Sequence, residues 1–218
     1  MEARAIIDAV LDFDREKTAQ RVQACLDQDT DALTILDQAL IAAMDEVGRR
    51  YSKGIFFVPE MLMAAEAMQA GLEILRPHLA SPDIKSKGTI IIGTVKGDIH
   101  DIGKNLVAMM LECAGFNVID LGVDVSKGKF LAAAKNFQAH IVAFSALLTT
   151  TLAEMEAAVA AVRNRSGGRL KTLIGGAPVT ASFADKIGAD GYSPDAAGAV
   201  GVVRNLLKAQ GEYEHDES

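Results

Sequence analysis

"TIIIGTVKGDIHDIGKNLVAMMLEC", residues 89–113, runs from an apolar segment of strand length (TIIIGTV, 89–95) into a helical stretch (103–114) through a loop that holds a histidine. His100 has Asp98 two residues before it and Asp101 immediately after, with Gly97 and Gly103 on either side. A strand, a glycine-bearing loop and a helix in that order are the opening of a βαβ unit. The rhythm then repeats. Apolar runs return at NVIDLG (117–122), HIVAFSA (140–146) and LKTLIGG (170–176), and GADGYSPDA (188–196) reads as a last strand with its loop. Helical stretches at 126–137, 151–165, 179–187 and 195–209 lie between and after them. Strand and helix in alternation predict an α/β domain over 89–218, a doubly wound parallel sheet of five strands covered on both faces. In such sheets ligands bind beyond the carboxyl ends of the strands, near the switch in strand order, and the histidine loop follows the first strand.

Residues 1–79 have a different rhythm. Ile6, Ile7, Val10 and Leu11 make one apolar face, and Val22, Cys25 and Leu26 a second. Leu33, Leu36, Leu40, Ile41, Met44 and Val47 make a longer one, ending near Arg50. After Gly54, Pro59 opens a fourth helix, carried by Met61, Leu62, Met63, Ala65, Met68, Leu72 and Leu75 to a stop at Pro77. This spacing predicts a four-helix bundle with short connections. LASPDIKSKG (79–88) is polar, with proline and glycine, and residues 80–88 read as a linker. The sheet domain is expected to be flavodoxin-like or Rossmann-like. The acidic end, GEYEHDES, reads as a mobile tail.

Composition narrows the function classes. The chain has 218 residues, half of them hydrophobic, enough to bury a core. Cys25 and Cys113 are the two cysteines, too few for a disulfide framework, and they point to a reduced, cytoplasmic setting. No basic region followed by an apolar run opens the sequence, and no apolar run is long enough to span a bilayer. A net charge of −7 argues against nucleic acid as a main partner.

From the loop alone, four readings stand. Glycines and a helix N-terminus suit an anion, although neither the P-loop spacing nor G-x-G-x-x-G is present. His100 could be a general base. It could be a metal ligand whose second nitrogen is held by Asp98, the arrangement that fixes an imidazole's tautomer and raises its basicity. Or Asp98 and Asp101 could serve the helix start, with His100 merely exposed.

Two further elements accompany the loop. DIHDIG (98–103) has the form D-x-H-x-x-G, SAL follows at 145–147 and GG at 175–176, after the first, third and fourth strands. The combination resembles the cobalamin-binding domain of methionine synthase, corrinoid methyl-carrier proteins and carbon-skeleton mutases. TVKGDIHDIGKN is most similar to the first two, and methyl carriers also have an N-terminal helical bundle, so the likeness covers nearly the whole chain. It implies a cobalamin or related corrinoid, bound with its own base displaced from cobalt and His100 as the lower axial metal ligand. Asp98 would hold the ring's other nitrogen. Gly97, Asp101, Ile102 and Gly103 would complete the cofactor loop, and the displaced nucleotide tail would thread beside Ser145, Leu147, Gly175 and Gly176. Methionine synthase completes a His-Asp-Ser relay with a serine where this sequence has Thr151, whose hydroxyl could serve the same role; as a plain structural residue Thr151 suits a helix N-cap.

YSKGIFFVPEMLMAAEAM (51–68) resembles the family's cap over the upper corrin face, which would place Phe57 over the methyl position, while Phe56, Met61, Met63 and Met68 read as bundle core. Tyr192 could touch the corrin or its nucleotide arm, or simply finish the last strand. The resemblance implies a methyl carrier, a subunit rather than a complete enzyme. Its expected partners are a donor-specific methyltransferase and a corrinoid:acceptor methyltransferase serving tetrahydrofolate or a thiol coenzyme, with a reductive activase as a further candidate. The alternatives are a cobalamin-dependent sensor and, on the same binding domain, the small subunit of an adenosylcobalamin mutase.

Overall fold

The structure, a computed structural model, describes residues 3–79 and 87–209. Most of the linker expected at 80–88, and the acidic tail from 211 onward, lie outside the described residues. Residues 1–85 form one compact unit, and almost all of 86–218 the other.

The first unit is helical: α1 (Ala3–Leu11), α2 (Arg15–Leu26), α3 (Ala32–Ile35), a π-helical turn (Leu36–Ile41), α4 (Ala42–Ser52) and α5 (Val58–Leu79). The third expected helix is the continuous run from α3 to α4, so these segments make four rods. Asp14 and Asp31 cap α2 and α3 by accepting the amides of Lys17 and Thr34, each at 2.9 Å. The core comprises Ile6, Val10, Val22, Ile35, Leu40, Met44, Val47, Met61, Met68 and Leu75, all buried. Gly71 lets α5 approach closely, since a Cβ there would lie 3.0–3.2 Å from Leu40, Thr18 and Val22. Some details differ from the sequence reading, Leu33 and Leu62 being exposed rather than on buried faces. α5 continues through Pro77 to Leu79, the proline falling in the final turn where few ladder bonds remain to be lost. Met63 is 42% exposed rather than core, because it lies on the opposite side of α5 from the buried positions 61, 64, 65 and 68.

The second unit alternates β1 (Thr89–Thr94), α6 (Ile102–Cys113), β2 (Asn117–Asp120), α7 (Lys127–Asn136), β3 (Ile141–Ser145), a 3₁₀ turn (Thr149–Thr151), α8 (Leu152–Ser166), β4 (Lys171–Gly175), α9 (Ala181–Ile187), β5 (Gly191–Tyr192) and α10 (Ala196–Lys208). All strand pairs are parallel, in the order β2-β1-β3-β4-β5. This is the flavodoxin-like arrangement, with its switch point between β1 and β3. Every residue of β1 is buried, as expected of a strand covered on both faces. One face packs Ile91, Val142, Phe144 and Ile174 against Phe130, Met155 and Val159 of α7 and α8. β1, β3 and β4 end in register at Thr94, Ser145 and Gly175. The loops that follow therefore emerge side by side, at the same end of the sheet.

Candidate functional site

The histidine loop leaves β1 at that end. Val95 donates its amide to the Ser145 carbonyl at 3.0 Å, and the Asp98 amide returns to the Val95 carbonyl at 3.1 Å. Gly97 makes the bend with φ +81°, a left-handed conformation that costs glycine little. The buried hydroxyl of Thr94 donates to the His100 carbonyl at 2.8 Å, closing the loop on the strand that launched it.

Asp98 is the centre of the arrangement. Its side chain has no solvent exposure, whereas that of His100 is 46% exposed. Oδ1 faces His100 Nδ1 at 2.7 Å and accepts the His100 amide at 3.2 Å. Oδ2 accepts the amides of Leu147 and Leu148 at 2.8 and 3.1 Å and the Thr151 hydroxyl at 2.9 Å. Burial alone would push the carboxyl towards its neutral form. The hydrogen bonds from the His100 ring, the Leu147 and His100 amides and Thr151 outweigh it and hold the carboxyl well below the usual carboxylate range. An ionised Asp98 can only accept, so in the neutral ring the proton belongs on Nδ1 and the lone pair on Nε2. The capping alternative for Asp98 is thereby answered: its carboxylate serves the imidazole and the β3–α8 loop. Asp101 is exposed, and its carbonyl receives the Asn105 amide at 2.7 Å in the first turn of α6.

Thr151 departs from the N-cap expectation. It has helical backbone angles and makes no side-chain cap bond at α8. Its hydroxyl lies 2.9 Å from both Asp98 Oδ2 and the Leu148 carbonyl, so one proton serves one acceptor at a time. Leu147 contributes its amide to Asp98 while its side chain stays exposed. Leu148, whose amide the sequence reading missed, does the same. Backbone amides carry no residue-type signal, which is why they were not legible.

The carboxyl ends of β3 and β4 hold the small residues. Ser145 pairs with Gly175 and is half-buried. Gly175 is open apart from the Ser193 carbonyl, 3.2 Å from a hypothetical Cβ. Gly176 is small for a different reason from the one the sequence suggested. At φ +131° its Cβ would fall 1.8 Å from the Ala146 carbonyl oxygen, so the close approach of two backbone segments, and not only space for a ligand, excludes a side chain. Gly103 has open space around it at the start of α6. Tyr192 pairs with Ile174 in the edge strand β5 and packs partly against the core. Phe57, in the helical unit, is 62% exposed at the start of α5, where the Glu60 carboxylate accepts its amide at 2.9 Å. Phe56 instead packs at a tilt against Phe13, ring centroids 5.4 Å apart, beneath the Arg50 guanidinium.

Large apolar side chains stand exposed at this end of the sheet, on the loops and the first residue of α6: Ile99 (75%), Ile102 (82%), Val123, Leu147 and Leu148. An imidazole nitrogen with its tautomer fixed, amid apolar side chains, suits a broad apolar macrocycle with one open metal coordination site, and so fits a corrinoid. Among the described residues no cluster of three or more histidine, cysteine, aspartate or glutamate side chains could hold a bare metal ion. No helix among them is long and apolar enough to cross a membrane.

Comparison with known proteins agrees with this chemistry. Two families, each described as a B12 binding domain, match residues 88–201 and 2–76. Trimethylamine corrinoid protein 1 of Methanosarcina mazei is 44% identical over 207 residues, covering 92% of this chain and 94% of that protein. A cobalamin-binding protein from Desulfitobacterium hafniense superposes with a TM-score of 0.82 at 31% identity, over 94% of this chain and 98% of the other. The methanol:cobalamin methyltransferase complex MtaBC from Methanosarcina barkeri contains a chain with the same TM-score of 0.82 at 28% identity, over 98% of this chain and 85% of that one. With its D-x-H-x-x-G loop at the switch point of a parallel sheet and both B12-binding segments matched, this chain belongs to the corrinoid proteins of the B12-binding family and binds cobalamin or a related corrinoid.

Proposed function

We propose that this chain carries methyl groups between a donor methyltransferase and an acceptor methyltransferase, as a subunit and not a complete enzyme. When bound, the corrinoid supplies a cobalt centre able to take up and release a methyl group. The protein's part is to hold, orient and tune that centre. His100 would hold the cobalt through Nε2. Asp98 fixes its tautomer, and Thr151 restrains Asp98, so that a change in ligation can be coupled to proton movement along His100, Asp98 and Thr151. Gly97, Asp101, Ile102 and Gly103 would hold the corrin, while Ser145, Leu147, Gly175, Gly176 and Tyr192 would receive the nucleotide tail. By its resemblance, residues 1–79 would serve as the cap, and Phe57 would exclude water from the bound group. The acceptor is tetrahydrofolate or a thiol coenzyme on the second partner, a reductive activase is a further partner, and the setting is cytoplasmic.

The observation that carries this reading is the buried Asp98 carboxyl, 2.7 Å from Nδ1 of a half-exposed imidazole. The name of the Methanosarcina mazei relative makes trimethylamine the first donor to try, and the methyltransferase complex among the structural neighbours supports partners of that class. The test loads the protein with corrinoid, reduces it and incubates it with isotopically labelled trimethylamine, methanol, betaine or an aromatic methyl ether, each with its methyltransferase. Label retained by the protein fraction and released to one acceptor system supports the reading. Loading without label transfer from any donor contradicts it, and a bound adenosyl ligand would favour the mutase alternative.

A further inference from the structure

Asp98, Leu147, Leu148 and Thr151 hold the histidine loop from the β3 side. The β2–α7 loop holds it from the other. Asp124, in that loop, makes two hydrogen bonds to adjoining residues of the His100 turn. Its Oδ1 accepts the Gly97 amide at 2.7 Å, and its own amide donates to the Asp98 carbonyl at 2.9 Å. To do both, Asp124 adopts φ +52°, a left-handed conformation uncommon for residues other than glycine, in which aspartate is among the better-tolerated types. The loop is itself anchored. Gly122 accepts the Thr94 amide at 3.0 Å, the Val125 amide donates to the Thr94 carbonyl at 2.9 Å, and Val95 and Val125 form an isolated parallel bridge. Asp120 accepts the Gly122 amide at 2.8 Å and pairs with the buried Lys104 of α6.

We infer that Asp124 is a positioning residue for His100. Deepening the axial-ligand reading, on which it rests, this inference gives the β2–α7 loop a part in setting how firmly the imidazole is presented. The Gly97 bend is the pivot on which Asp98 and His100 turn, and a left-handed glycine can relax into many other conformations if its amide loses its acceptor. Asp98 keeps its contacts to Leu147, Leu148 and Thr151 in that case, so the loop stays attached to β3 while its other side loosens. The effect falls on the fraction of molecules in which His100 is held ready to ligate, not on whether the domain folds.

Asp124→Gly and Asp124→Asn separate the parts of this inference. Glycine tolerates the left-handed backbone and removes the acceptor; asparagine tolerates the backbone and keeps an acceptor oxygen. In the corrinoid-free protein, amide hydrogen exchange at Gly97 should quicken at least fivefold in Asp124→Gly and stay near wild type in Asp124→Asn. In the cobalt(II) form, paramagnetic resonance reads the ratio of histidine-ligated to unligated cobalt through nitrogen superhyperfine splitting. That ratio should fall about five- to tenfold in Asp124→Gly, as expected for the loss of one hydrogen bond, with corrinoid still bound, and be restored in Asp124→Asn. Full wild-type splitting in Asp124→Gly would overturn the inference alone. A wild-type protein lacking the splitting would overturn the axial-ligand reading and this inference together.

Discussion

The two units of the chain expose apolar side chains in different settings. In the sheet unit Ile99, Leu147 and Leu148 stand on loops knitted together by a buried carboxylate, with Ile102 beside them at the start of α6. In the helical unit Ile55, Phe57, Val58, Leu62 and Met63 stand around the start of α5, where the Glu60 cap on Phe57 stiffens the backbone and not the surface. The first set surrounds a polar device with defined geometry, so its chemistry can be argued atom by atom. The second is a surface, and its role as a cap comes from resemblance. Substitutions should reflect this: changes beneath the first set disturb both stability and ligation, while changes in the second leave stability alone.

The largest effect is expected at Gly176. Alanine there meets the Ala146 carbonyl and a left-handed backbone at once, so Gly176→Ala should cost more than ~3 kcal/mol and lower the yield of folded protein. Thermal unfolding of the corrinoid-free protein checks this, and a near-wild-type melting temperature would mean that the β3 and β4 ends are not packed as described. Gly175→Leu is the informative partner: with only the Ser193 carbonyl nearby, it should retain the fold but weaken corrinoid binding.

Asp98→Ala comes next. It leaves the Leu147 and Leu148 amides and the Thr151 hydroxyl without their acceptor, for a loss of about 3 kcal/mol by denaturant titration. The same carboxylate sets a pH dependence in the corrinoid-free protein. Its pKa is depressed on folding, so its stabilising contribution is complete above the ordinary value of 3.8 and is lost as pH falls through the lower folded value. The stability difference between wild type and Asp98→Asn should therefore be constant near neutrality and shrink only in strong acid. A difference that already shrinks near pH 6 would place the carboxylate's pKa higher than its hydrogen bonds imply.

Thr151 should give a smaller effect. Thr151→Val removes a hydroxyl bonded to Asp98 and should cost about 1–2 kcal/mol, whereas Thr151→Ser keeps it and should cost less than about 1. Equal losses would show that the methyl group, and not the hydroxyl, matters there. The smallest stability change belongs to Phe57→Ala, within about 0.5 kcal/mol because the ring is mostly exposed. If the helical unit caps the cofactor, air oxidation of the reduced, loaded protein should nonetheless quicken several-fold. An unchanged rate would separate Phe57 from the cofactor.

The fold was legible because period and punctuation agree along the chain. The helices and first four strands of the sheet unit lie within two residues of their expected bounds, since β1, β3 and β4 are short apolar runs ended by glycine or polar residues, whereas the last strand, expected within 188–196, is only Gly191–Tyr192. Pro77 misled at the end of α5, because a proline in a last turn forfeits little. Within the site, the loop alone left four readings of Asp98 and His100 open, and the resemblance of the D-x-H-x-x-G, SAL and GG elements singled out the pairing of carboxylate and ring that the geometry shows. Asp124 was not legible, because its contribution depends on a left-handed backbone and on tertiary pairing of β1 with β2. Nor were the Leu147 and Leu148 amides, for which any residue type would serve. Gly176 was recognised, but its reason was only partly legible: sequence cannot show that the Ala146 carbonyl stands where its side chain would be.

The most direct measurement is electron paramagnetic resonance of the cobalt(II) protein with its histidines at natural abundance and then labelled with nitrogen-15. Ligation by His100 requires each superhyperfine triplet to become a doublet on labelling, and His100→Ala to bind corrinoid while losing the protein-derived splitting. A triplet that persists on labelling, or splitting unchanged in His100→Ala, would show that another nitrogen holds the cobalt and that the Asp98–His100 pair serves some other end.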